Sequence, residues 1–256
     1  MTLLRVLHAE TLKLKRTIAL KMVVIAPAAI GLLVLFMASQ APFSMVRRGG
    51  AGHEWAELTR INLLVWGILM LPLFITLETA LVAGLDHAEN QWKILLARPV
   101  PRWTLYVAKL LVVMAMTAAS SVVLVCGVLA AGAVLPWIQP ELHFGFPIPL
   151  AAILRDGAQV TGLAFLALTI QHWVSLRWQS FSVATSVGIV AMVTGYLMVV
   201  STRQTDAWPQ YFPLSLPMLV LARRPQNVEA VLWISGAAGL LVAAVGCADF
   251  CRREVR

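Results

Sequence analysis

The chain has 256 residues, of which 60% are hydrophobic and only 12% are charged, and its mean hydropathy is +0.82. Soluble domains carry about 25% charged residues, so the uncharged runs of about 20 residues exclude a soluble domain and indicate an integral membrane protein. The net charge of +8 comes without a basic stripe carrying interleaved aromatic residues, which excludes a nucleic-acid-binding protein and favours a Lys/Arg excess that orients membrane helices.

The chain begins with an amphipathic basic segment. Between Leu3 and Arg16, leucine and valine residues form a broad apolar stripe at helical spacing, with basic residues on its flanks. This pattern predicts a helix over residues 1–17 that lies in the membrane interface. No small-residue cleavage site follows it, so we expect no removable signal peptide.

The remaining apolar runs predict an all-α membrane protein, a single transmembrane domain over residues 1–256 with six spans. The polar segment Ser39–Arg60 is expected as an external loop. The third run is longer than the roughly 20 residues that a bilayer needs, so it should tilt or project. The predicted spans cover residues 18–37, 61–85, 105–135, 157–174, 181–201 and 230–250.

The distribution of basic residues gives the orientation. With the N-terminus inside, 13 of the 20 Lys and Arg residues fall on the inner side and 7 on the outer side. The positive-inside rule therefore predicts that both termini and the segment Asp86–Arg102 are cytosolic.

Motifs for catalysis and cofactors are absent from the sequence. The chain has no G-x-x-x-x-G-K-[ST], H-E-x-x-H or G-x-S-x-G, so we expect no ATP site, catalytic residue or metal site of its own. The histidines fall at span boundaries or in loops and do not pair at helical spacing. Cys247 and Cys251 lack His or carboxylate company, so packing is the favoured interpretation.

Glu78 is the one acidic residue well inside a predicted span. It precedes Asp86 by eight residues, roughly 12 Å along a helix. An ionisable group at that depth is a functional candidate. The alternative, slightly favoured from the sequence, is a structural pair with Lys21, Lys109 or another basic residue near the inner boundary.

Asp86–Leu110 is the longest charge-rich interruption between apolar runs. Trp92, Leu95 and Leu96 share one helical face, and Glu89 pairs with Lys93 at the favourable i,i+4 spacing. Pro99 and Pro101 then end the helix. Such a short helix fits helix-in-groove recognition, or it simply lies on lipid, and periodicity does not separate these two interpretations.

Four segments in order resemble the permease subunit of an ABC exporter of the ABC-2 type, closest to the lantibiotic-immunity and bacitracin-type permeases. The resemblance covers essentially the whole chain, although that family usually has Glu where Asp86 stands. The four segments are AETLKLKRT (9–17), DHAENQWKILLARPVPRWTLYVAK (86–109), HWVSLRWQSF (172–181) and YFPLSLP (211–217).

The resemblance implies a permease that pairs with a second permease copy or paralogue and with two cytosolic ATP-binding subunits, which would carry ATP and Mg²⁺. The helix Glu89–Ala97 would be the coupling helix that docks on the ATPase, and 172–181 a smaller second contact. The implied coupling residues are Glu89, Asn90, Trp92, Lys93, Leu95, Leu96, Pro99 and Arg177. The cargo implied is hydrophobic or amphipathic: a peptide antibiotic, a drug or a lipid-linked compound.

Two other functions stay open from the sequence. One is a membrane anchor or sensor that passes a signal to a cytosolic partner through the same segment, without transport. The other is an ion-coupled carrier that uses Glu78.

Overall fold

A computed structural model describes residues 3–40, 53–87, 100–140, 142, 144–178, 180–201, 212–213, 215–217 and 227–252. The regular secondary structure in these ranges is helical throughout. The helices are α1 Leu3–Lys13, α2 Ile18–Gln40, α3 Glu54–Val65, α4 Leu71–His87, α5 Arg102–Ile138, α6 Leu150–Leu163, α7 Phe165–Arg177, α8 Phe181–Ser201 and α9 Val228–Arg252. The predicted coupling helix, 89–97, lies outside the described residues.

Five helical segments of the described chain are long and apolar enough to cross a membrane. They are Ile18–Gln40, Glu54–Asp86, Arg102–Ile138, Phe181–Val200 and Val228–Arg252. Helices α6 and α7 make a sixth span only if they count as one segment, because they are bent by 41° at the break between them. The chain is therefore a multi-pass membrane protein, with five or six candidate spans in the described residues.

The second span differs from its prediction at its N-terminal end. Its helix begins at Glu54, seven residues before the predicted start, so part of the expected loop is helical. Glu54 and Glu57 lie in the first turn, where carboxylates favour the helix dipole, and Glu57 also pairs with Arg60. These charges make the turn look like a loop in the sequence although they stabilise a helix.

A π-helical turn, Trp66–Met70, joins α3 to α4 within one continuous segment. Pro72 comes two residues after this turn and lacks an amide hydrogen for the helical ladder. Departures from α-helical bonding of this kind are common at proline and often mark functional sites.

Helix α5 is the centre of the bundle. It packs against α1, α2, α3, α4, α6, α7 and α9. Its 37 residues give a length of about 55 Å at 1.5 Å per residue, well beyond the roughly 30 Å of a bilayer core. As the sequence predicts, it must tilt or project, and its first turns reach the part of the bundle that α1 covers.

The predicted span 157–174 is not one straight helix. It lies across the break at Ala164, where the backbone amides and carbonyls lose regular partners. Ser235 of α9 supplies them: its hydroxyl donates to the Leu163 carbonyl at 3.0 Å and accepts from the Leu166 amide at 3.3 Å. A break inside a membrane is tolerated when a neighbouring helix satisfies the backbone in this way.

Candidate functional site

The segment predicted to dock a partner lies between α4 and α5 in the sequence. Asp86 lies in the last turn of α4 and Lys109 in the third turn of α5. These two residues are on either side of residues 88–99, of which nothing structural is described. We call this end of the bundle, which also carries α1, the α1 end.

Four charged side chains meet at the α1 end. Lys109 Nζ lies 2.6 Å from Glu10 Oε2 and also pairs with Asp86 Oδ2. Lys13 Nζ lies 2.7 Å from Glu10 Oε1 and 2.9 Å from Asp86 Oδ1. We call Glu10, Lys13, Asp86 and Lys109 the charge clamp, because it joins α1 to the end of α4 and the start of α5.

The charge clamp is balanced and largely removed from solvent. The side chains of Asp86, Lys109 and Glu10 are 0%, 1% and 5% exposed, and only Lys13 reaches solvent, at 27%. Each carboxylate lies between two ammonium groups, so the charges alternate and sum to zero. Charge-assisted hydrogen bonds offset the desolvation of such groups only while every partner is present.

Burial and the neighbouring carboxylates have opposite effects on the pKa of Lys13. Burial by itself would lower the pKa of the Lys13 ammonium, but the hydrogen bonds and negative charges of Glu10 and Asp86 outweigh it and raise the pKa above the ordinary value. Lys13 is therefore charged at every physiological pH, and the clamp keeps its neutral balance.

Aromatic and polar contacts tie α7 and α9 to the same end. The rings of Tyr106 and His172 meet edge to face, with centroids 4.9 Å apart. Trp173 Nε1 donates to Asp249 Oδ2 at 2.9 Å, and Arg102 Nη1 donates to the Cys251 carbonyl at 3.2 Å. The base of the docking segment is thus fixed to four helices, not only to its own two.

His172 departs from its predicted setting. The sequence puts it at a span boundary, whereas it is inside α7 and buried, with Nε2 free of any hydrogen-bond partner in the described residues. Nor do the described residues bring together three or more His, Cys, Asp or Glu side chains in a group that could hold a metal ion.

Arg177, the one implied coupling residue that is described, ends α7. It is exposed, and the chain turns there into α8, which begins at Phe181. Because Trp173, one turn earlier, bonds to Asp249 near the end of α9, Arg177 also lies at the α1 end. Its role in docking remains a prediction.

Glu78 has none of the partners that the sequence suggested. Its side chain is fully buried in α4, and neither carboxylate oxygen has a hydrogen-bond partner among the described residues. Lys109 pairs instead with Glu10 and Asp86, and Lys21 is exposed on α2. The structural pair favoured from the sequence is therefore wrong for both named lysines.

Sequence reasoning missed the charge clamp. Two of its residues are each unusual in the sequence: Glu10 is the one acidic residue of a basic helix, and Lys109 is a lysine within a predicted span. Nothing in the sequence connects them, because they are 99 residues apart.

Comparison with known proteins finds a family whose model matches this chain. A family model described as "ABC-2 family transporter protein" matches residues 6–197, three quarters of the chain. No curated protein matches. The match includes most of α1, the charge clamp and both candidate docking segments.

Proposed function

The chain belongs to the ABC-2 transporter family, and from this we propose that it is the membrane-spanning permease subunit of an ATP-driven exporter. Its apolar helices supply the membrane part of a transporter, and the sequence lacks the phosphate-cradling G-x-x-x-x-G-K-[ST] loop. ATP and Mg²⁺ therefore belong on separate cytosolic ATP-binding subunits, and this chain has no catalytic residue.

The charge clamp is the observation that carries the proposal. A segment that receives force from an ATPase must pass it to the membrane helices, so its two ends need a firm connection to the bundle. The direct pair of Asp86 and Lys109 joins those two ends, and Glu10 adds α1 to them. A segment that only connected two spans would need no buried, balanced set of four charges at its base.

The docking residues follow from the family resemblance. The helix Glu89–Ala97 inserts into a groove of the ATPase, with Trp92, Leu95 and Leu96 as apolar anchors. Arg177 supplies a second contact at the same end of the bundle. The excess of Lys and Arg at this end supports a cytosolic position for it.

ATP binding drives the transport cycle by rigid-body gating. Closure of two ATPase subunits moves the docking segments, and through the charge clamp it moves α1, α4 and α5 together. A second permease copy or a paralogue forms the other half of the pathway. The cargo is hydrophobic or amphipathic: a peptide antibiotic, a drug or a lipid-linked compound.

Co-purification tests this function. The affinity-tagged chain is expressed together with the soluble chain of a neighbouring gene that carries G-x-x-x-x-G-K-[ST], and the complex is isolated in detergent. We expect the pair to co-purify, and the double substitution Trp92→Ala/Leu95→Ala to reduce the yield of ATPase at least tenfold, because the apolar anchors are lost.

A matched double substitution at the C-terminal end of α5, Trp137→Ala/Ile138→Ala, removes two exposed apolar side chains and should leave the yield unchanged. Retention of the ATPase by Trp92→Ala/Leu95→Ala would contradict the docking assignment. Failure to bind an ATPase at all would favour the anchor or the ion-coupled carrier over the exporter.

A further inference from the structure

Glu78 and Asp86 are carboxylates of one helix, both fully buried, with opposite surroundings. Asp86 pairs with two ammonium groups. Glu78, two turns earlier, has a partner for neither oxygen in the described part of the chain. Removing an unpaired carboxylate from water costs several kcal/mol, so an ionisable group at this depth without a partner calls for an explanation.

The neighbouring hydroxyl groups of α4 do not serve Glu78. Thr76 donates to the Pro72 carbonyl at 2.8 Å, and Thr79 donates to the Ile75 carbonyl at 2.8 Å. Ser175 of α7 donates to Thr79 Oγ1 at 3.1 Å. These bonds connect α4 to itself and to α7, and they leave both oxygens of the Glu78 carboxyl group without a hydrogen-bond partner in the described residues.

The surface of α4 that carries Glu78 is otherwise apolar. Leu71, Phe74, Ile75 and Val82 lie one or two turns from Glu78 on this side of the helix, and all are buried. A group that meets Glu78 would therefore touch a hydrocarbon surface that contains a single carboxyl group. That combination suits an apolar molecule that carries one positive charge, because ammonium and guanidinium groups form the strong charge-assisted bonds of a carboxylate.

The helices around Glu78 contain two departures from straight α-helix. The π turn Trp66–Met70 precedes α4 in the same segment, and the 41° break at Ala164 lies at the start of α7, against which α4 packs. Gly188 of α8 lies close to Thr76 of α4. A Cβ atom added at Gly188 would come within 2.3 Å of the Thr76 side chain. The contacts of α4 are thus made with segments that can bend or that present bare backbone.

We propose that Glu78 is the counter-charge for the cationic group of the transported substrate, so that the cargo is a lipophilic cation. This inference rests on the proposed function and narrows its cargo from hydrophobic or amphipathic compounds to those with a positive amine, guanidinium or onium group. Glu78 binds and selects the substrate; it carries out no chemistry. In the arrangement described here the site is closed, and α4 must separate from α7 or α8 to admit the ligand.

Equilibrium binding of a pair of matched ions tests the proposal. Radiolabelled tetraphenylphosphonium and tetraphenylborate have nearly the same size and shape and opposite charge. The purified complex of this chain with its ATPase should bind the cation saturably. Glu78→Gln should weaken that binding by about tenfold or more, with no loss for the anion, and Glu78→Asp should retain part of the cation affinity.

Glu229→Gln is the control variant, because Glu229 is an exposed carboxylate in the first turn of α9, and it should bind the cation as the wild type does. Measurement of the melting temperature shows whether Glu78→Gln is folded. Loss of an unpaired buried carboxyl group should leave the melting temperature of the variant equal to that of the wild type or higher. The proposal is overturned if the wild type does not bind the cation saturably, or if Glu78→Gln binds it normally. It also fails if both ions lose affinity together.

The binding experiment distinguishes failure of the cation site from failure of the proposed function. If the ATPase co-purifies and Glu78→Gln binds tetraphenylphosphonium normally, the exporter stands and only the cation site fails. If Glu78→Gln leaves cation binding intact but abolishes a proton flux that needs no ATP, the cation site is overturned in favour of an ion-coupled carrier.

Discussion

Lys109 Nζ lies 2.6 Å from Glu10 Oε2, although the two residues are 99 positions apart in the chain. One belongs to the central helix of the bundle and the other to the short helix that precedes the first span. This bond, together with the pair of Lys109 and Asp86, makes α1 part of the base of the docking segment. An ATPase that moves residues 88–99 therefore acts on α1 as well.

Removal of two oppositely charged clamp residues together should cost less stability than the sum of the two single removals. Lys109→Met leaves Glu10 and Asp86 with Lys13 as their only remaining clamp cation, and should lower the free energy of unfolding by about 3–5 kcal/mol. Lys109→Met/Glu10→Gln keeps the pair of Asp86 and Lys13, so its loss should be smaller than the sum of the two single losses.

Chemical unfolding in detergent micelles measures these differences, with Lys21→Met as the control for an exposed lysine. Additive losses in the double variant would show that the four charges do not act as a unit.

The pH dependence of the clamp follows from Lys13. Its pKa is raised in the folded protein, so its stabilising contribution is fully present below the ordinary lysine value of about 10.4 and is lost as the pH rises through the folded-state pKa. The difference in melting temperature between wild type and Lys13→Met should thus be constant from pH 6 to 9 and shrink only in strong alkali. A difference that disappears between pH 6 and 8 would assign it to another group.

The fold was largely predictable because span length is a local property. Apolar runs such as 105–135 and 230–250 became helices, since a helix satisfies its own backbone groups in a bilayer. The N-terminal end of the second span was not predictable, because Glu54 and Glu57 read as loop residues. The break at Ala164 was not predictable either, since the group that stabilises it, Ser235, comes from another helix.

The candidate site was predictable only in part. The charges of Asp86 and Lys109 marked the two ends of an unusual segment. Their direct pairing and the participation of Glu10 depend on how α1 folds back on α5, which no local pattern encodes. Glu78 was singled out for its depth, but its lack of a partner is a property of the packed bundle.

The break between α6 and α7 should depend on a single hydroxyl group. Ser235→Ala leaves the Leu166 amide without the acceptor that it has in the wild type, at a cost of about 1–3 kcal/mol for a buried donor. Thr194→Ala is the matched control, since Thr194 is only half-buried and its hydroxyl donates to the Val190 carbonyl of its own helix, and should change stability by less than about 0.5 kcal/mol. Equal effects of the two substitutions would remove Ser235 from its assigned role.

Orientation can be read from cysteine labelling in intact cells. In a chain whose three native cysteines are replaced by serine, Arg16→Cys marks the α1 end and Trp137→Cys marks the opposite end, where the native side chain is 88% exposed. A membrane-impermeant maleimide should label position 137 in intact cells and position 16 only after permeabilisation. The reverse pattern would place the α1 end and its docking segment outside the cell.

The central claim is that residues 88–99 meet an ATPase, and photo-cross-linking tests it most directly. A benzophenone side chain is introduced at position 92, and separately at position 233, whose native Trp is 79% exposed on the last span. In cells that express both chains, irradiation should join position 92, and not position 233, to the soluble ATP-binding chain. No adduct from position 92, or equal adducts from both positions, would contradict the account.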